Sequence, residues 1–303
     1  MEVSPLPTPQ EHVKLQLLDG GNCMMPTGLI IDKAPMTPYK GYDWVIYIHH
    51  PAWNRHVLWD VGMVAYTPRM QGFLSQLNPN SPEKPLGQQL EQLGVGADDI
   101  DTVIFSHAHW DHCRPIKNLF PNAKGFFGPG TTDHCSPGHI KSPQCTFDAA
   151  FFDPENATEN WAELSGPWVP FGAFERATDF FGDGSLWLVD APGHMPGNLF
   201  AAAHIGNGEW VVLGGDCCHA RSILDGTDSI AEFDDGKGGK SSMHHDLPVA
   251  KETILKIRQM EKTHGLHVVL AHDETWLRKG TDTVLMSLLT EDTKILQKKI
   301  ASE

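Results

Sequence analysis

Short apolar runs with the alternation or the length of β-strands recur along this chain. They lie at residues 12–18, 44–48, 56–59, 101–105, 186–189, 199–204, 210–213 and 267–270. Apolar residues at helical spacing predict helices over 85–93, 248–264 and 282–300. Strands early and late in the chain, with helices between them, predict an α+β fold in which two sheets stack face to face with helices outside.

Turn signals separate these runs. An Asp-Gly-Gly sequence at 19–21 predicts a turn after the first strand, and the segment 50–54 predicts a hairpin between its two neighbouring strands. A Gly-Asn-Gly sequence at 206–208 predicts a second hairpin. Residues 121–184 combine weak periodicity with many aromatic residues, which predicts an elaborated connection that partly covers a pocket. Alternatively, these aromatic residues belong to the ordinary core.

Length and composition fit one globular unit. The 303 residues, 40% hydrophobic and 20% charged, predict a single domain over 1–303 with the aromatic-rich insertion around 121–184. The formal net charge of −15 argues against nucleic acid as a partner, because phosphates are usually met by clustered Lys and Arg. The N-terminus lacks a signal-peptide pattern, and no apolar run approaches the roughly 20 residues that span a bilayer. We therefore expect a cytoplasmic protein with no membrane partner.

Histidine is unusually abundant, with 17 residues. Because histidine is the commonest transition-metal ligand, this number directs attention to metal chemistry. The six cysteines do not predict a disulfide framework in so long a chain. We interpret Cys113 and Cys217 as small buried hydrophobic residues rather than as nucleophiles or metal ligands.

Four potential metal ligands lie within six residues, at His107, His109, Asp111 and His112. Imidazole nitrogen together with carboxylate oxygen suits Zn²⁺, with Fe, Mn or Co as possible substitutes. The two-residue spacing lets His107 and His109 point the same way and bind one ion. A turn at Asp111 then aims Asp111 and His112 at a neighbouring ion. A lone histidine would more often be a satisfied or solvated side chain, but chance explains this ordered set poorly.

The run resembles the His-X-His-X-Asp-His signature of the metallo-β-lactamase superfamily. Three later features of that family are also present: His194 in a Pro-Gly-His turn, Asp216 after a Gly-Gly strand end, and His272 after an apolar strand. These anchors span the chain from about residue 15 to residue 273. The resemblance implies a four-layer αββα sandwich with the site along one edge.

The resemblance also assigns the ligands of two metal ions, expected to be zinc. It implies that His107, His109 and His194 bind the first ion, that Asp216 bridges both, and that the second ion is held by Asp111, His112 and His272. Asp60, at the end of an early strand, matches the acidic residue that hydrogen bonds a metal-ligating His from behind. A helix or turn cap is the alternative interpretation of Asp60.

The implied activity is hydrolysis, in which a metal-bridged hydroxide attacks a carbonyl and Asp111 is among the catalytic residues. The spacing of the anchors looks most like that of N-acyl homoserine lactonases and their lactone- or lactam-cleaving relatives. We therefore expect a small-molecule substrate, an apolar or aromatic lactone or lactam. In that group a Tyr commonly stands three residues after the bridging Asp, whereas this chain has His219 there. His219 is our candidate general acid, with a surface or supporting His as the alternative.

Two other functions remain open from the sequence. A glyoxalase II-like thioesterase shares nearly the same ligands, but its glutathione substrate asks for several basic residues near the site, and residues 216–272 offer few. A metal-binding scaffold without hydrolysis would keep the ligands but need a further module, and we expect this least.

Overall fold

The fold of residues 3–65, 73–142 and 144–303 is described by a computed structural model. The predicted domain over 1–303 therefore includes three short stretches outside the described residues, at 1–2, 66–72 and 143. Within the described part, two six-stranded sheets dominate, as the apolar runs predict.

The first sheet has its strands in chain order from one edge to the other. Its strands are β1 (Lys14–Pro26), β2 (Pro38–His50), β3 (Arg55–Trp59), β4 (Thr102–Ile104), β5 (Lys124–Phe127) and β6 (Trp161–Glu163). The first three pair antiparallel, and β3 to β6 pair parallel. The parallel half places the carboxyl ends of several strands at one edge, which is where loops collect functional groups.

The second sheet comes from the latter half of the chain. Its strands are β7 (Val169–Phe171), β8 (Phe174–Asp179), β9 (Leu186–Asp190), β10 (Leu199–His204), β11 (Trp210–Leu213) and β14 (His267–Val269), with β14 pairing parallel to β11 at one edge. Between β11 and β14 along the chain, a two-stranded ladder forms from β12 (Phe233–Asp234) and β13 (Lys240–Ser241). Both predicted hairpins, β2–β3 and β10–β11, are confirmed.

Ten helices connect and cover the sheets in the described part of the chain. They are α1 (Thr27–Ile30), α2 (Phe73–Gln76), α3 (Leu86–Gln92), α4 (Thr131–Cys135), α5 (Ala149–Phe152), α6 (Arg221–Asp225), α7 (Leu247–His264), α8 (Thr275–Lys279), α9 (Thr283–Met286) and α10 (Glu291–Ser302). The longest, α7, begins at the Asp246 side chain, which accepts from Val249 N, and ends at Gly265 in the left-handed conformation. None of these helices is both long and apolar enough to cross a membrane.

Three hydrophobic clusters give the molecule four layers. Inward residues of both sheets, such as Ile46, Leu188 and Val211, form the central cluster. The outer face of the first sheet packs on α3 through Leu86. The outer face of the second sheet packs on α7, where the apolar side of the helix buries Ile254, Ile257 and Met260. The predicted αββα sandwich is confirmed.

The turn predicted at 19–21 is wrong, because β1 runs straight through this segment. The register with β2 shifts between Asp19 and Asn22, so the glycines form a bulge. Gly21 has φ of +103°, and a Cβ on Gly20 would lie 2.8 Å from the Asp43 carbonyl oxygen. On the other side, Met63 N donates to the Gly20 carbonyl at 2.9 Å. The glycines allow three backbone segments to approach closely.

The irregular connection predicted over 121–184 is more regular than expected. It supplies four sheet strands, β5 to β8, and many of its aromatic rings are core. Phe127, Phe151 and Phe152 pack together with less than 5% exposure each. These strands are hard to predict because they have only three to six residues each, and only β5 alternates between buried and half-buried positions.

The single closing helix predicted over 282–300 is divided into α9 and α10. Thr290 starts α10 by accepting from Thr293 N at 3.2 Å while Thr293 Oγ1 accepts from Thr290 N at 2.8 Å. The backbone just before it pairs with the first sheet, since Leu17 N donates to the Leu288 carbonyl at 2.8 Å. Pairing with β1 and a second cap therefore interrupt an otherwise helical pattern.

The central cluster sets the stability of the sandwich. Leu188 is fully buried between the sheets, so Leu188→Ala is expected to lower the free energy of unfolding by about 2–5 kcal/mol. The measurement is urea denaturation followed by circular dichroism. Ile295→Ala is the control, because Ile295 is 66% exposed and its truncation should change stability by less than about 0.5 kcal/mol. Equal losses in the two variants would contradict this assignment of the core.

Candidate metal centre

The His-rich loop leaves the end of β4 and crosses between the two sheets. Phe105 N still donates to the Phe126 carbonyl in the manner of a strand, and the Ser106 carbonyl then accepts from Leu199 N at 2.8 Å. This last bond ties the loop to the second sheet just before the first histidine. His107 and His112 are both fully buried as a result.

Three imidazole nitrogens and one carboxylate oxygen form a first cluster. His107 Nε2 lies 2.9 Å from His109 Nδ1 and 3.2 Å from His194 Nε2, which lies 3.0 Å from His109 Nδ1. Asp216 Oδ2 lies 3.8 Å from His107 Nε2 and 3.4 Å from His194 Nε2. A tetrahedral ion with bonds of 2.0–2.1 Å spaces its ligand atoms by about 3.3 Å, so this cluster has the dimensions of one zinc site.

A second cluster lies beside the first. His272 Nε2 is 3.5 Å from Asp111 Oδ2 and 3.3 Å from Asp216 Oδ1. His112 Nε2 is 3.9 Å from Asp111 Oδ2 and 3.5 Å from Asp216 Oδ1. Asp216 thus presents one oxygen to each cluster. The structure brings together all seven residues that the sequence analysis singled out as ligands.

Asp216 reaches both clusters from a short 3₁₀ turn, Gly215–Cys217, after β11. Gly215 has φ of +49°, and a Cβ there would lie 2.8 Å from the Cβ of Ser106. Only glycine lets the turn approach the His-rich loop this closely. The Gly-Gly-Asp sequence is therefore a packing requirement as well as a signature.

The Asp60 carboxylate lies behind the ligands and orients two of them. Asp60 Oδ1 accepts from Ser106 N at 2.7 Å, and Oδ2 accepts from Ser106 Oγ at 2.8 Å and from His112 Nδ1 at 2.9 Å. His107 Nδ1 lies 2.9 Å from Ser106 Oγ, which can accept its proton. With the proton on Nδ1, the Nε2 lone pairs of both histidines face the clusters.

His272 is oriented by the backbone rather than by a carboxylate. Its Nδ1 donates to the Tyr42 carbonyl at 2.8 Å, which leaves Nε2 facing Asp111 and Asp216. Three buried atoms of the second cluster have no hydrogen-bond partner among the described residues: His112 Nε2, His272 Nε2 and Asp216 Oδ1. Buried polar atoms are rarely left unsatisfied, so this donor set fits a resident cation.

Burial and mutual proximity keep the histidines of the first cluster neutral. Burial, reinforced by neighbouring imidazoles, lowers the pKa of His107 and of His194 well below the ordinary value. Burial lowers the pKa of His109 to about 4. Neutral imidazoles are the form that binds a metal at neutral pH.

The second cluster shows the opposite trend. Burial favours neutral His112 and His272, but the charges of Asp216 and Asp111 outweigh it and raise the pKa of both imidazoles well above the ordinary value. Burial alone would raise the pKa of Asp216, yet the surrounding imidazoles hold it well below its usual range. The carboxylates therefore favour positive charge around them, which divalent cations would supply when bound.

His219 and two residues not predicted from sequence complete the surroundings. His219 Nε2 lies 3.2 Å from Asp216 Oδ2, and its ring lies 4.7 Å from that of His244, centroid to centroid. Phe147 stacks parallel to His109 with centroids 6.0 Å apart. The adjacent pair His244-His245 before a helix was the available signal for His244, whereas nothing in the sequence marks Phe147.

The cysteines near the centre are buried thiols. Burial raises the pKa of Cys217 and of Cys218 to about 12, so neither forms a thiolate at neutral pH. Cys113 is fully buried in the cluster outside the first sheet. Their surroundings are those of small hydrophobic residues, in line with the interpretation from sequence.

A cavity of about 500 Å³ opens beside the second cluster. His272 and His219 lie at its wall, together with Tyr39 from β2 and with Ile30 and Ile31 from the segment that links β1 to β2. Residues from α6 and α8 close its other side. No described residue of 121–184 lines this cavity, so the expectation that this segment covers the pocket finds no support here.

Comparisons with known proteins agree with this arrangement. A profile described as the metallo-β-lactamase superfamily matches residues 41–119, which include the His-rich loop. The part of the chain that carries the His-rich loop therefore matches that superfamily. The resemblance noted from the sequence is confirmed at this level, and the site lies where β4 leaves the domain's first sheet.

Two relatives illustrate the range of proteins that carry similar domains. The chain is 30% identical over 215 residues to the cytochrome P450 monooxygenase mpaDE of Penicillium brevicompactum, over 65% of this chain and 25% of that protein. The chain thus spans about a quarter of the length of that relative. It is 26% identical over 225 residues to the N-acyl homoserine lactonase AiiB of Agrobacterium fabrum, covering 69% of this chain and 71% of the relative.

Among solved structures, the domain is similar to an N-acyl homoserine lactone hydrolase with the product N-hexanoyl-L-homoserine at its catalytic metal centre. The TM-score is 0.65 at 17% identity, covering 87% of this chain and 94% of that one. At this identity the likeness establishes the metallo-β-lactamase fold over most of the chain.

The orientation of His112 by Asp60 leads to a prediction about metal affinity. Asp60→Asn keeps the shape of the side chain but removes the charge that accepts from His112 and Ser106, so metal affinity should fall about 10- to 100-fold. The measurement is competition with a chromogenic chelator, followed by metal analysis.

Asp183→Asn is the matched control. Asp183 is also a buried carboxylate beside a buried imidazole, since its Oδ2 lies 2.7 Å from His50 Nε2, but it belongs to neither cluster. Metal affinity should be unchanged in this variant. If both variants lost metal equally, general destabilisation rather than ligand orientation would explain the result.

Proposed function

We propose that this chain is a dinuclear metal hydrolase that opens a cyclic ester or a lactam. The observation that carries the proposal is Asp216, whose two carboxylate oxygens face two separate ligand clusters beside a cavity large enough for a small molecule. A pair of adjacent cations at such clusters is the arrangement used in hydrolysis of carbonyl and phosphoryl substrates.

We infer zinc as the resident metal. The seven donors are five imidazoles and two carboxylates, which suit zinc and leave Fe, Mn or Co as substitutes. When bound, the two ions would lower the pKa of a water molecule and polarise a carbonyl group.

The chain's own residues would prepare the site for that chemistry. Asp60 fixes the ligand tautomer of His112, and Ser106 relays the same constraint to His107. Asp111 presents its carboxylate to the second cluster next to the cavity, and we assign it both ligand and catalytic roles. Six of the seven residues are buried and His109 is half-buried, so the set is largely shielded from bulk water and each electrostatic contact is strengthened.

The cavity favours a neutral, partly apolar ring as substrate. Ile30, Ile31 and Tyr39 supply an apolar wall. Arg221, the guanidinium at the cavity, is already held by Asp225 at 2.7 Å and by Glu261 at 2.6 Å. Among the described lining residues, Lys279 is the other Lys or Arg side chain. One unpaired cation is a poor match to a glutathione thioester, which carries several carboxylates. Lactone cleavage, as named for the lactonase relative, fits better, and quorum quenching is one role it would allow.

The position of His219 bears on its proposed role as general acid. Its Nε2 lies 3.2 Å from Asp216 Oδ2, so this nitrogen is engaged by the carboxylate. This geometry favours a positioning residue that holds the bridging carboxylate, although the ring does lie at the cavity wall. We therefore propose that His219 acts through Asp216.

A reducing cytoplasmic location is part of the proposal. The six cysteines form no disulfide in the structure. Thiols in this number persist in compartments where glutathione and thioredoxin keep them reduced.

A hydrolysis panel tests the proposed function. The metal-loaded protein is expected to cleave at least one of an acyl homoserine lactone series, an aromatic γ-lactone or benzoxazolinone, and to leave S-lactoylglutathione nearly untouched. Acid release is followed with a pH indicator and the product by mass spectrometry. Preferential cleavage of the thioester would replace this proposal with the glyoxalase II-like alternative.

The first cluster predicts the effect of losing one ligand. His109→Ala should lower kcat by at least about 10³-fold and reduce the metal content, because a neutral imidazole of the first cluster is removed. His139→Ala is the control, since His139 bonds to the backbone around Phe147 and belongs to neither cluster. Retention of full activity by the His109 variant without metal would refute the dinuclear mechanism.

The role of His219 can be decided by its pH profile. As a positioning residue, His219→Ala should lower kcat by about tenfold while the shape of the pH profile of kcat is kept. A general acid would instead give a profile whose alkaline limb disappears with the imidazole. Loss of that limb in the variant would restore the general-acid assignment.

A further inference from the structure

A third group of histidines lies behind the first cluster. His194, His219 and His244 each present a ring nitrogen within 4.8 Å of the other two. All three side chains are nearly inaccessible, with exposures of 3%, 3% and 4%. We propose that this outer histidine set is a transient cation site through which metal enters and leaves the first cluster.

Two ring nitrogens of the outer set are not satisfied by protein groups. His194 Nδ1 and His244 Nδ1 are buried and have no hydrogen-bond partner among the described residues. The ring centroids of His194 and His244 lie 5.2 Å apart, close to edge-on. Packing alone would be served as well by a phenyl ring, so the unpartnered nitrogens point to a ligand.

The backbone holds His244 over His194. His245 N donates to the His194 carbonyl at 2.9 Å, and Asp246 N donates to the Gly193 carbonyl at 2.9 Å. The outer set is therefore fixed relative to the first cluster before any cation arrives. Because His194 belongs to both groups, a cation held by the outer set already has one ligand of its final site beside it.

The outer set is also next to the surface. His244 lines a cavity of about 300 Å³ at the start of α7, and Glu232 and Asp246 lie on its wall with Lys240 as the cation there. Carboxylates at a cavity mouth raise the local concentration of divalent cations. The route thus runs from this outer cavity, past His244, to His194 and the first cluster.

The second cluster has an outlet that does not involve His244. His272 lines the 500 Å³ cavity directly, so an ion bound there need not pass His244. The proposal therefore predicts two kinetically distinct ions. Only the ion of the first cluster should depend on His244 for its exchange.

The experiment follows zinc release from the full-length metal-loaded protein to an excess of a chromogenic chelator, and cobalt uptake after the metal is removed. His244→Phe keeps an aromatic ring but removes both nitrogens. One of the two release phases should slow by about tenfold, the other should not change, and the metal content at equilibrium should stay that of the unmodified protein.

His245→Phe is the matched control. His245 lines the same outer cavity, but its ring faces His134 at 5.0 Å and takes no part in the outer set. Its release phases should equal those of the unmodified protein. His244→Gln keeps a side-chain atom that can bind a cation and therefore controls for an effect of packing alone. Its release rate for the slowed phase should lie between those of His244→Phe and His245→Phe.

Identical release rates in His244→Phe and the unmodified protein would overturn the proposal, because metal would then leave by another route. A lower metal content at equilibrium would also overturn it, since His244 would then be a resident ligand. Equal slowing of both phases would indicate a general change in dynamics and count against the proposal. These readouts do not involve substrate, so they stand apart from the proposed hydrolysis.

Discussion

The metal centre depends on one buried carboxylate that touches no metal-facing atom. Asp60 accepts three hydrogen bonds, two from Ser106 and one from His112, and through Ser106 it also constrains His107. In this way one side chain at the end of β3 fixes ligands of both clusters. A buried carboxylate is costly unless hydrogen bonds replace its lost hydration, so the three donors around Asp60 hold it in one position.

The fold supplies the remaining candidate ligands from the ends of separate strands. The His-rich loop follows β4, Asp216 follows β11, and His272 follows β14. Since β11 and β14 are parallel neighbours, their carboxyl ends meet at one edge of the second sheet. The two sheets face each other at that edge, and the central hydrophobic cluster keeps their separation fixed. The distances between the candidate ligands therefore depend on how the central cluster packs.

Much of this could be read from the sequence, and the exceptions have physical causes. The seven candidate ligands and Asp60 could be selected from the sequence because each follows an apolar strand and belongs to a spaced motif, and the structure brings them together. Strands β5 to β8 were not predicted because they have only three to six residues each, which is too short for a clear pattern of alternation. The orientation of His219 toward Asp216 was not predictable, since spacing places a side chain on a loop but does not fix its rotamer. His244 was missed because its partners come from distant parts of the chain.

The glycine bulge in β1 links a feature of the backbone to the chemistry of the site. A Cβ on Gly62 would lie 2.5 Å from the Gly20 carbonyl oxygen, and Gly62 is two residues past Asp60. The loop that carries Asp60 thus packs directly against the bulge. A methyl group added at Gly20, Gly21 or Gly62 would displace the loop that carries Asp60 and so tilt the carboxylate that orients His112. Few substitutions should therefore be accepted at these glycines, although none of them belongs to either ligand cluster.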